Sequence, residues 1–171
     1  MHLRNSRIAA LALAIAPCCP GGTFAVLGPQ GSSQGGPWPS ILSSAGHVSA
    51  PASSAEIFVA PPGTAASADW KSKVDKGAAL ILEGTSPLAA SFGYRAQSKT
   101  ISVVHLVDVH NPALPVIWEK AIDLPVYDIP ATARVFAKDR WTSAPLVAGA
   151  RVGAGAVLWV AAPPGQNGYE R

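Results

Sequence analysis

Residues Ala78 to Leu82 form a short, uninterrupted apolar run that Glu83-Gly84 closes at once. A run of this length without polar alternation is the pattern of a strand buried on both faces, as inside a parallel sheet. Thr85-Ser86-Pro87 follows, then a stretch of small residues that ends at Gly93. Ser86 fits an N-cap, and Pro87 fits the first helical position, where its missing N–H leaves nothing unpaired. Lys76 to Tyr94 therefore predicts strand, tight turn and helix. In open α/β sheets ligands gather at that edge, so a site is expected first around Glu83, Thr85 and Ser86.

The elements before this turn alternate. Thr23 to Leu27 predicts a strand closed by Gly28-Pro29, and Gln30 to Pro37 is a loop rich in Gly and Ser. Pro39 to Ala45 predicts a short helix with Gly46 just past its end, and Ser49 to Ser54 a linker. Glu56 to Ala60 predicts a strand stopped by Pro61-Pro62-Gly63. Ala65 to Lys76 predicts a helix whose apolar face carries Trp70 and Val74, with Gly77 as its terminator. Such alternation argues for a parallel sheet with helices on its faces.

The second half reads differently. Thr100 to Val109 is a long β-branched run, and Pro112, Pro115, Pro125 and Pro130 interrupt the chain after it. Val116 to Glu119, Ala133 to Ala137 and Pro145 to Ala150 are short strand candidates. Ala156 to Ala161 again has the pattern of a doubly buried strand, stopped by Pro163-Pro164-Gly165. Few residues remain beyond it, so part of the C-terminal cover is expected to be missing.

Charge and cysteine usage narrow the function classes. Lys and Arg exceed Asp and Glu by three, and two of the arginines, Arg4 and Arg7, lie in the leader, which leaves +1 for the remainder. No basic stripe with interleaved aromatics occurs, so no nucleic-acid partner is expected. His2, Arg4 and Arg7 precede an apolar segment, Ile8 to Ala16, too short to span a bilayer. Residues 1–22 thus read as an export-signal region, and the protein is expected to be periplasmic or extracellular. Cys18 and Cys19 stand where a lipoprotein signal carries its lipidated cysteine, although Pro17 is a poor residue to precede one. A membrane contact is expected only through such a signal or lipid anchor. A start codon assigned too early is the other reading of the leader. No cysteine follows Cys19, which removes disulfides, thiolate nucleophiles and Cys-based zinc sites from residues 23–171.

Three motifs together resemble the class I glutamine amidotransferase-like fold, in the non-catalytic form attached to exported bacterial carbohydrate-related proteins. They are AEIFVAPPG at Ala55 to Gly63, GAALILEGTSPLA at Gly77 to Ala89, and GAGAVLWVAAPPG at Gly153 to Gly165. The resemblance covers roughly Thr23 to Gly165. It implies an α/β, flavodoxin-like three-layer sandwich with a mostly parallel sheet. It also implies a carbohydrate or a downstream catalytic domain as partner; no cofactor is expected. The catalytic family places a nucleophilic Cys after the central strand, where this chain has Gly84-Thr85-Ser86-Pro87, and the late His-x-Glu pair is absent as well. The resemblance thus implies a scaffold without glutaminase chemistry.

Other chemistry is open on residue types alone. Ser86 follows Gly84-Thr85, the first half of a hydrolase elbow, but Leu88 stands where the second glycine belongs. A serine esterase or deacylase would draw its base and acid from His105, His110 and Asp108. Asp108 and His110, two apart on a strand, point to one side, with His105 opposite. A zinc site from this strand alone is therefore awkward, and Asp108 ahead of Asn111-Pro112 better fits an Asx-type turn. Glu83 could orient a ligand at the sheet edge, or pair with Arg95 or a backbone amide. Trp70 and Trp159 fit core positions, whereas Trp118 and Trp141 are the surface tryptophans for stacking on a sugar ring.

Overall fold

The computed structural model describes residues 21–28, 36–113, 115–162 and 168–169. Residues 1–20 of the leader, with Cys18 and Cys19, lie outside the described residues. Among the described residues the chain forms one mixed sheet of ten strands with three short helices. The strands are β1 (Thr23–Val26), β2 (Val48–Ser49), β3 (Ile57–Ala60), β4 (Ala79–Glu83) and β5 (Arg95–Asp108). They continue as β6 (Val116–Asp128), β7 (Arg134–Asp139), β8 (Pro145–Val152), β9 (Gly155–Val160) and β10 (Gly168–Tyr169). The helices are α1 (Trp38–Ser44), α2 (Ala68–Asp75) and α3 (Pro87–Ser91). Across the sheet the order is β10-β6-β5-β7-β8-β9-β4-β3-β1-β2.

Two halves meet at β9. β2, β1, β3, β4 and β9 run parallel, whereas β9, β8, β7, β5, β6 and β10 pair antiparallel. The parallel half has the expected doubly buried pattern: Val59, Ala60, Leu80, Leu82 and Trp159 are all 1% exposed or less. α2 and α3 cover one face. There Val74, Leu88 and Ala89 join a core that runs through Leu82 and Trp159 to Ile101 and Leu124. α1 covers part of the other face, where Trp38 and Leu42 pack on Phe24, Val59, Ile81 and Val160.

The flavodoxin-like, mostly parallel sandwich expected from the sequence is therefore corrected. Half of the sheet is antiparallel, a β5–β6 hairpin joined through β5–β7 pairing to the β7–β8–β9 run, and the three helices described are only 7, 8 and 5 residues long. The cause lies in β5 and β6. Their burial alternates or is exposed over most of their length, which suits hairpin strands with one wetted side rather than crossover strands. Pro125 does not break β6. It stands opposite Thr100, beside an irregularity where the register shifts between Ala96 and Thr100, and a proline is tolerated in a strand at such a bulge. Gly153-Ala154, before Gly155, makes the tight turn of the β8–β9 hairpin, and the Ala154 N–H donates to the Asp75 carbonyl at 3.0 Å. Gly153 has φ +56 and its backbone meets Asp75 closely, so a side chain would clash there.

Candidate functional site

The turn from β4 to α3 lies at the carboxyl end of the parallel strands, where the sequence places the site. Gly84 takes φ +51, a conformation that glycine adopts without strain. Strand alternation puts Glu83, like Ile81, on the α1 side of the sheet, and the bend leads the chain to Ser86 at the start of α3. Ser86 is 4% exposed, and its Oγ accepts the Ala89 N–H at 2.9 Å. It is an N-cap in extended conformation, as Ser-Pro at a helix start favours. Thr85 is exposed, and its hydroxyl shares a 3.0 Å hydrogen bond with the Tyr127 hydroxyl of β6. Its carbonyl accepts the Gly63 N–H at 3.1 Å. The Trp159 indole N–H donates to the Gly84 carbonyl at 3.1 Å.

Glu83 is the chemically distinctive group. It is 5% exposed, and the Trp38 indole N–H donates to its Oε1. Burial pushes its pKa up from the ordinary carboxylate value, and the Trp38 hydrogen bond works against that rise. Arg95, weighed as its partner, is an exposed residue at the start of β5. Beneath the turn, Tyr94 stacks on Trp159 at 5.4 Å, and Tyr127 tilts against the same indole at 4.6 Å. Burial raises the Tyr94 phenol to about 12, and its hydroxyl has no partner among the described residues.

The other candidate group lies elsewhere. Asp108 is in register with Ala137, Ala137 with Val147, Val147 with Val160, and Val160 with Glu83. Four inter-strand spacings, about 19 Å, therefore separate Asp108 from Glu83. Asp108 Oδ1 accepts the His110 N–H at 2.7 Å and the Asn111 N–H at 3.2 Å, an Asx turn closing β5. These backbone bonds, His110 first, hold the Asp108 carboxyl below its usual pKa. The His110 Nδ1 lies 3.7 Å from Asp108, and its Nε2 contacts Arg134. His105 packs edge-on against Trp141 at 6.0 Å. The structure thus joins Glu83, Thr85 and Ser86 at one turn, and Asp108 and His110 at another, without joining the two groups. Trp141 is 72% exposed and Trp118 is half-buried.

The residues that sequence reasoning missed are Trp38, Tyr94 and Tyr127. Tyr127 was hidden in a proline-rich stretch. Trp38 lies 45 positions from Glu83, and only its place ahead of Pro39, at the start of an amphipathic helix, hinted at burial.

No family model matches the sequence, and no curated protein matches it. The fold does have likenesses among solved structures. A polyextremophilic β-galactosidase from Halorubrum lacusprofundi gives a TM-score of 0.54 at 14% identity, over 82% of this chain and 27% of that one. Gan42B, a GH42 β-galactosidase from G. stearothermophilus, gives 0.52 at 12% identity, over 89% of this chain and 28% of that one. A β-galactosidase from Rahnella sp. R3 gives 0.50 at 16% identity, over 68% and 22%. The chain thus spans 22% to 28% of the length of these structures. At such identities the likeness concerns the fold alone, and it supports the mixed-sheet description.

Proposed function

We propose that this chain is a non-catalytic, amidotransferase-like accessory module of an exported, carbohydrate-related protein, working beside a separate glycoside-processing domain. The observation that carries this reading is the state of the β4–α3 turn. Its hydroxyls and its carboxyl are engaged in holding the fold: Ser86 caps α3, Thr85 bonds Tyr127, and Glu83 accepts from Trp38. A serine nucleophile needs a base within hydrogen-bond reach, whereas Asp108 lies about 19 Å across the sheet from Glu83 and His110 follows it on the same turn. The carbohydrate part of the reading is supported by the named neighbours, which are β-galactosidases of which this chain spans 22% to 28%. The leader with Arg4, Arg7 and the Ile8–Ala16 run supports export.

Two measurements test the proposal. Reading the gene past the codon for Arg171 is expected to show an open frame that runs into a glycosidase domain; an immediate stop codon would sink the accessory role. The purified chain, given nitrophenyl acetate and nitrophenyl β-galactoside, is expected to release nitrophenol no faster than its Ser86→Ala variant. Turnover that disappears in that variant would replace the proposal with a serine hydrolase.

A further inference from the structure

On the α1 side of the sheet, α1 covers β1 and β3, and among the described residues none covers β4, β9 and β8 toward their α2 end. The result is a groove of about 730 Å³. Its floor is small and apolar: Ala79, Ile81, Gly149 and Leu158 line it from three adjacent strands. Leu42 of α1 stands on one side and Phe136 of β7, 37% exposed, on the other. The rim is cationic. Arg134 and Arg151 are exposed and line it, His47 lines it too, and among the described residues no Asp or Glu does.

We propose that this groove docks an amphipathic helix that presents an apolar face of small and branched residues to the sheet and carboxylates to Arg134 and Arg151. Three features select that occupant. The floor strands are hydrogen-bonded to neighbours on both sides, so the groove offers no free backbone groups, and a docked peptide has to satisfy its own, as a helix does. Two turns of a helix about 10 Å across occupy roughly 800 Å³, close to the space present. The lining's single sign of charge favours an acidic partner and repels a basic one. The chain's own leader has the apolar run but carries Arg4 and Arg7 beside it, the wrong charge for this rim.

The test titrates the full chain with two fluorescein-labelled helical 16-residue peptides that share a Leu/Ala face, one flanked by Glu and one by Lys. The Glu peptide is expected to bind at least tenfold tighter, with affinity falling as salt rises. The double variant Arg134→Glu with Arg151→Glu is expected to reverse that preference, and Arg151→Glu alone to weaken it. Both arginines are exposed, and circular dichroism checks that the variants fold. Equal binding of both peptides, or none, overturns the proposal. Binding that appears only after residues 1–20 are removed identifies the leader as the occupant and also overturns it. Sedimentation as a dimer that the Glu peptide does not dissociate gives the groove to a second copy instead.

Discussion

The two halves of the sheet solve the same problem differently. β3 and β4 are buried almost throughout, with apolar residues on both faces. β5 and β6 are exposed over much of their length and bury only Ile101, Val103 and Val107 in β5 and Leu124 and Tyr127 in β6. The parallel half therefore depends on layers above and below it, since a doubly apolar strand left bare exposes its own core. The antiparallel half depends on pairing between strands close in the chain, β5 with β6 and β7 with β8 and β9, with the β5–β7 ladder joining the two groups. β9 belongs to both: it pairs with β4 in parallel and with β8 in antiparallel fashion.

The largest effect is expected where the halves join. Trp159 is fully buried on β9, in contact with Tyr94 and Tyr127, and hydrogen-bonded to the Gly84 carbonyl. Trp159→Ala would remove aromatic contacts to both halves and leave a cavity, at a cost of about 3–5 kcal/mol. Urea unfolding followed by far-UV circular dichroism measures it. A loss under about 1 kcal/mol would mean that the halves are held together by something other than this cluster.

A matched pair of smaller truncations sharpens the comparison. Leu82 in β4 is 0% exposed and Leu124 in β6 is 8% exposed, and both belong to the same core. Leu→Ala at a buried site costs roughly 2–5 kcal/mol, and the loss grows with the cavity that remains. Leu82→Ala is expected near the top of that range, because strands flank it on both sides and cannot collapse inward. Leu124→Ala is expected near the bottom, because β6 is wetted and can adjust. Equal losses in the two urea titrations would remove the distinction drawn between the halves.

The same division decides what the sequence could reveal. Ala78–Leu82 and the Ser86-Pro87 start of α3 were legible because their signals are local: an apolar run, a cap and a fixed φ. The Asx turn at Asp108 was legible for the same reason. The antiparallel half was not, although its strands were partly located. Val116 to Glu119 covers only the start of β6, because Pro125 reads as a breaker unless its place beside a bulge opposite Thr100 is known. Strand direction was also hidden, since Thr100 to Val109 fits either a crossover or a hairpin until its partner is fixed. The Trp38–Glu83 contact depends on where α1 lands on the sheet, which no local pattern of residues encodes.

The smallest effects concern two carboxyl groups at opposite ends of one row of paired residues. Glu83 ends the row in the parallel half and Asp108 in the antiparallel half. Burial raises the Glu83 pKa above its ordinary 4.5 despite the Trp38 bond. Between 4.5 and that raised value the folded state binds more protons than the unfolded state, so stability falls as pH rises. Below 4.5 the group is neutral in both states and the penalty is absent. Glu83→Gln keeps an acceptor for the Trp38 indole and carries no charge. Its stability relative to the parent chain is therefore expected to climb from pH 4 to pH 8. Asp108 behaves oppositely. The His110 and Asn111 amides favour its ionised form and lower its pKa from 3.8. Its contribution is present above 3.8 and disappears as pH falls through the lowered value. Asp108→Asn should therefore lose stability relative to the parent chain at neutral pH and recover parity in acid, by a smaller amount because Asp108 is exposed. Thermal melts of the three proteins across this range measure both slopes. Parallel slopes, or a flat Glu83→Gln difference, would show that the buried end of the row is no less hydrated than the exposed end.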